Sequence, residues 1–287
     1  MTTVAADQVQ YESSVRFRWA IVAFVAAILL VVSQLIQLSG AQPPVSEATV
    51  TLITENQRAT VDVIGAILDM GGLLALAALV NWLHRIAQAR QPGLKSATRW
   101  VAVAGAVIAA VMAVVYTVLF TVKAHQFVTT GNQSYPEARQ LFNSAVWFIP
   151  QLVLELGNLL LAVGVVLVSL SVMRVGLFNR LLGYTGVISG ALFIIGIPVL
   201  TPVIQGFWLV GTAMLLAGRW PSGDPPAWQS GIAVPWTPMQ RPPDQRGTRG
   251  QRERRRRVSD QEALAAVQQN EAPPNPRAGR SKRKRRK

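Results

Sequence analysis

The chain of 287 residues contains no cysteine, which excludes a disulfide framework, a thiolate metal site and a thiol nucleophile. It has two histidines, His84 and His125. They fall in segments expected on opposite membrane faces, so a histidine-centred active site is excluded as well. There is no H-E-x-x-H pair, no glycine-rich phosphate loop and no G-x-S-x-G elbow. Charge is scarce too, at 15% of residues against 51% hydrophobic, with a mean hydropathy of +0.31. That balance is too apolar for an ordinary soluble domain. The expected protein is a non-enzymatic, all-α integral membrane protein without cofactor or metal.

What charge there is, is unevenly placed. Of the 28 lysines and arginines 17 fall in residues 219–287, with six of the 14 acids, so this segment carries +11 of the net +14. The rest of the chain is occupied by long apolar runs. A spanning helix needs about 20 mostly apolar residues. Six runs qualify, at 19–38, 61–83, 100–122, 146–172, 181–200 and 203–219. The last two are separated by almost nothing and should form a tight hairpin. The expected organisation is an N-terminal segment 1–18, a six-helix domain 19–220 and a disordered tail 221–287. Ser39-Gly40-Ala41 resembles a signal cleavage site, but the run before it is long for a signal core, and the first span is expected to stay attached.

Basic residues in the short loops set the orientation. Arg16, Arg18, Arg85, Arg90, Lys95, Arg99, Arg174, Arg180 and Arg219 fall on one side; Arg58, Lys123 and Arg139 fall on the other. Both termini are therefore expected in the cytoplasm of a cell-membrane protein. Small residues crowd the third run (Ala102, Gly105, Ala106, Ala109, Ala110), and the fifth carries Gly183, Gly186 and Gly190. Such residues let helix backbones approach closely in lipid.

The stretch "RLLGYTGVISGALFIIGI" (180–197), following a basic loop, resembles the penultimate-helix signature of bacterial six-helix membrane proteins of the domain-of-unknown-function 4386 family. The likeness extends over roughly residues 17–218. It implies a helical membrane fold and no reaction; the basic tail is not part of the family pattern.

Polar residues inside the apolar runs are the candidate site. Asp69 lies about eight residues into the second run, roughly 12 Å deep at about 1.5 Å per residue. Gln151, Glu155 and Asn158 of the fourth run follow the spacing of one helical face. Glu155 should match Asp69 in depth. An ionisable group at mid-bilayer costs about 2.5–3.5 kcal/mol on insertion scales and usually faces the protein interior. Asp69 and Glu155 are therefore expected to face each other, sharing a proton or a cation, with Asn158, Gln151, Gln205 and Gln34 nearby. The alternative is plain helix-to-helix hydrogen bonding. Gly71 and Gly72 should admit another helix beside Asp69. Asp62 is expected as a solvated cap, His84 at the headgroup level, and Lys123 within reach of the carboxylates. Tyr116, Trp100, Trp147 and Trp220 read as interfacial or packing aromatics.

The tail opens with Pro-rich stretches that cannot build a core, and Trp228 and Trp236 are expected at the headgroup level. Two basic runs follow: Arg254, Arg255, Arg256 and Arg257, then Lys282, Arg283, Lys284, Arg285, Arg286 and Lys287. Each basic residue near an anionic leaflet is worth about 1 kcal/mol, and RNA phosphates would attract the same runs. Two functions follow. One is a membrane component whose tail adheres to anionic lipid or to a polyanion such as RNA or the ribosome. The other is a small transporter or a ligand- or proton-binding protein using the intramembrane carboxylates.

Overall fold

The computed structural model describes residues 3–39, 47–197 and 199–235. The chain divides into two units, 1–236 and 237–287, of which the second lies outside the described residues. Arg254–Arg257, Lys282–Lys287 and Trp236 therefore lie outside them too. The described residues are all-helical, without a strand: α1 (Thr3–Leu38), α2 (Ala48–Arg90), α3 (Ala97–Thr129), α4 (Tyr135–Phe142), α5 (Ala145–Arg174), α6 (Arg180–Ile195), α7 (Leu200–Leu216) and α8 (Pro226–Ser230).

Four of these helices, α1, α2, α3 and α5, are long and apolar enough to cross a membrane, and α6 and α7 are shorter apolar helices of 16 and 17 residues. Their outer faces are apolar stripes: Ile21, Phe24, Ile28, Val32 and Leu35 are exposed on α1, and Val107, Val111, Val115, Val118 and Val122 on α3. Water would not tolerate so much exposed apolar surface, and lipid does. The helices outrun the apolar runs because the flanking polar residues continue the helix. In particular α2 starts at Ala48, thirteen residues before the expected 61, and residues 3–18 form the first part of α1.

The helices pack in chain order into a closed ring. Each of α1, α2, α3, α5, α6 and α7 lies against the next, and α7 returns to α1. The small residues make this possible. A methyl group placed on Gly105 would run into the backbone N of Leu161, one on Gly157 would lie 2.7 Å from Ala109 N, and one on Gly164 would strike Ala102. The α3–α5 seam is thus a backbone-to-backbone contact, as lipid-embedded helices favour. Gly72 does the same for α1, with Leu30 side-chain atoms 2.7 Å from where its Cβ would be. The α6–α7 turn is tight: Gly196 closes α6 in the left-handed region at φ 58°, and α7 begins at Leu200.

The stretch after α7 corrects the expected tail boundary. Residues 221–235 dock on the bundle end where α2 stops and α3 starts. Trp228 is 5% exposed, stacks on Trp82 (centroids 6.3 Å apart), and donates its indole N–H to Leu177 O at 2.9 Å. Trp82 stacks in turn on Trp19 at 5.0 Å. Arg16 grips Asp224 with two 2.7 Å bonds, donates to Leu215 O, and lies 4.4 Å from the Trp228 ring centroid. Arg90 holds Glu12 with two 2.6 Å bonds and also donates to Ala227 O. Both of those side chains are almost fully buried, at 0% and 2% exposure. Val234 N closes the segment onto Val175 O at 3.1 Å. Proline content prevents a separate core, but it does not prevent docking on an existing one. Trp228 is accordingly a core residue.

Candidate functional site

At the opposite end of the ring the helices part around an open cleft of about 980 Å³. One face of α2 forms its longest wall. Thr51, Glu55, Arg58, Asp62, Ala66, Asp69 and Leu73 all line the cleft, at steps of three or four residues. That is the period of one helical stripe. Gln34 of α1, Tyr116 and Phe120 of α3, Asn158 of α5 and Gln205 of α7 complete it at depth. Tyr135 and Arg139 of α4 stand on its wall. The short α4 is held there by its cap: Ser134 Oγ accepts from Glu137 N, and Pro136 sits in the first turn, where its missing N–H costs nothing.

The structure brings Asp69, Asn158 and Gln205 to this cleft, together with Gln34. It leaves out the other two expected members. Gln151 and Glu155 are exposed and do not line it, so the Asp69–Glu155 pair is corrected. Depth is not the reason. Asn56 on α2 meets His125 on α3 at 3.1 Å, which places Asp69, thirteen residues further in, level with Met112. Gly157 on α5 lies against Ala109, which places Glu155 level with Val111. The two carboxylates are thus within about one residue rise, or about 1.5 Å, of the same level. Azimuth separates them. The buried face of α5 carries Gly157, Leu161, Gly164 and Val168, and Glu155 is about 200° round the helix from Gly157, at about 100° per residue. Asn158 is only about 100° from Gly157 and reaches the cleft.

Asp69 is half-buried, with the buried Ser33 of α1 nearby. No basic side chain lies within ion-pairing distance of it among the described residues. Gln205 is 5% exposed, and its side-chain amide nitrogen has no hydrogen-bond partner among the described residues. A buried donor left unpaired costs about 1–3 kcal/mol unless something meets it.

Other expected residues sit differently. Asp62 is no solvated cap: Arg58 donates to it at 3.3 Å and to Ile36 O at 3.0 Å. His84 is 0% exposed, because α2 turns it into the bundle. Lys123 turns to Gln126 at 3.0 Å rather than inward. Tyr116 tilts against Trp147, as a packing aromatic.

Sequence reasoning missed Glu55 as a site residue and took Arg58 and Arg139 only as loop charges. The signal was present: Glu55, Asp62 and Asp69 recur every seven residues, which puts them on one helical face. Among the described residues no group of three or more histidine or acidic side chains is placed to hold a metal ion. Comparison with protein-family models, with curated proteins and with solved structures finds no match for this chain.

Proposed function

We propose that this is a non-enzymatic, multi-pass protein of the cell membrane that receives a small cationic solute in its cleft and holds it at Asp69. The reading takes α6 and α7 as the fifth and sixth spans and puts both termini in the cytoplasm, so that the cleft opens outward. The basic-residue bias of the loops and the apolar character of the two shorter helices support that arrangement. The observation that carries the functional part is Asp69 itself. It is a carboxylate well inside an apolar bundle, lining an open cleft without a basic partner, beside a buried and unpaired Gln205 amide. Intramembrane acids are costly and mark ligand or ion sites. Protein in detergent, or reconstituted in liposomes, tests this against protons, sodium, potassium, small organic cations and neutral polar solutes. At least one cation should raise the melting temperature of the wild type and not of Asp69→Asn. A panel to which both proteins respond alike would end the reading. Flux measurements in liposomes then separate binding from transport.

The second reading concerns the tail, and the +11 charge of residues 219–287 favours it. Arg254–Arg257 and Lys282–Lys287 adhere to anionic lipid headgroups or to RNA. Removing 241–287 should abolish salt-sensitive binding to anionic liposomes or RNA; equal binding by the shortened chain would refute it.

A further inference from the structure

We infer that the solute taken by the cleft is an organic ammonium ion, whose cationic head sits between Asp69 and the ring of Tyr116. This rests on the cleft reading above and narrows it to one chemical class.

Charge sets the polarity of the site. Of the charged groups on the cleft wall, Arg58 is taken up by Asp62 and by Ile36 O. Arg139 stands on α4, with Glu55 on the outer part of α2. Asp69 lies two turns further in than Asp62, about 10 Å at about 1.5 Å per residue. No lysine or arginine lines the cleft on the inner side of Arg58. The deep half is therefore anionic.

The same spacing argues against a bare metal ion. Such an ion needs several oxygen ligands within about 2.6 Å, and carboxylates about 10 Å apart cannot share one. The cleft volume of about 980 Å³ is that of a site for an organic molecule, on the scale of about 300–1,000 Å³.

The wall at that depth is aromatic. The Asn56–His125 contact puts Tyr116 level with Gly65, one turn outward of Asp69, and Phe120 level with Val61, two turns outward. Both rings pack against further aromatics. Trp147 lies 4.5 Å from Tyr116 and 4.0 Å from Phe120, centroid to centroid, and Phe142 lies 6.0 Å from Phe120. Aromatic faces beside a carboxylate are the surroundings that attract an alkylated ammonium group, which is too weakly hydrated to prefer water and too large for a metal cage. The unpaired, 95%-buried Gln205 amide adds a donor for a hydroxyl or carbonyl on the rest of the solute.

Tetramethylammonium chloride against sodium chloride, titrated at equal ionic strength into the purified full chain, is the decisive measurement, by calorimetry and by melting temperature. Tetramethylammonium should bind saturably, with sodium competing at least about tenfold more weakly. Asp69→Asn should abolish binding. Tyr116→Leu should weaken it about five- to thirtyfold, the factor expected for a desolvated cation–π contact, while Tyr116→Phe, which keeps the ring, should retain it. Phe120→Leu serves in place of Tyr116→Leu if that variant does not fold. Sodium binding as tightly as tetramethylammonium, with Asp69→Asn abolishing both, would overturn the ammonium assignment and leave the cleft reading standing. So would an unchanged affinity in both leucine variants. Absence of any Asp69-dependent cation binding would overturn both.

Discussion

Replacing Arg90 by methionine should be among the most damaging single changes in this chain. Arg90 and Glu12 join two helices by a bidentate pair at 2.6 Å, with side chains 0% and 2% exposed. Arg90 also donates to Ile86 O and Ala227 O. Methionine keeps most of the volume and removes the cation, leaving the buried Glu12 carboxylate only the Gln8 amide, at 2.7 Å, as a partner. Breaking one side of a buried pair costs about 3–5 kcal/mol, or about two to four orders of magnitude in the folding equilibrium. The cause is the stranded charge, so a second change should rescue the first. Arg90→Met with Glu12→Leu should recover most of the loss, because an apolar replacement of a whole buried pair is often near neutral. The double-mutant cycle is read by unfolding in mixed detergent–SDS micelles, followed by tryptophan fluorescence from the adjoining Trp19, Trp82 and Trp228. A cost below about 1 kcal/mol for Arg90→Met, as for an exposed pair, would refute the burial argument. A double variant as unstable as the sum of the singles would refute the explanation by stranded charge.

Gly164→Val should destabilise the α3–α5 seam by at least the 1–3 kcal/mol typical of overpacking, because the added carbons meet Ala102 backbone, which cannot swing aside. The lipid-facing Val163→Ala beside it should be near neutral in the same unfolding assay. Topology is checked by labelling single cysteines in this cysteine-free chain. Ser134→Cys should react with an impermeant reagent from outside the cell and Ser281→Cys should not; the reverse pattern would invert the orientation.

Helices, apolar faces and small-residue seams were readable because they are local: run length, composition and spacing define them. The depth of Glu155 was readable for the same reason, since depth is a residue count along a helix. Its azimuth was not. A row of polar residues looks like an inward face, but Gly157 and Gly164 decide which side of α5 packs, and that depends on how closely the α3 backbone comes. Starting the second run at 61 hid Glu55, whose seven-residue spacing to Asp62 and Asp69 has meaning only on a helix that starts at Ala48. The docking of 221–235 could not be read from spacing at all. Its ligands, Arg16, Trp82, Arg90 and Leu177, are scattered over the chain and no local pattern links them.

That docking also sets an order in time. Glu12 meets Arg90 across 78 residues, but Arg16 must wait 208 residues for Asp224. At a synthesis rate of about 5–20 residues per second, the first contact is open to the growing chain within about 4–16 s, and the second only after about 10–40 s. For that interval Arg16, Trp19 and Trp82 stand at an unfinished end of the bundle. The ring of helices can assemble before it is sealed, and the last stretch of the first unit to be made is the piece that seals it. Slow or interrupted synthesis between α7 and α8 would therefore leave a species with its helices in place and one end open, prone to misassembly and proteolysis in a way the finished protein is not.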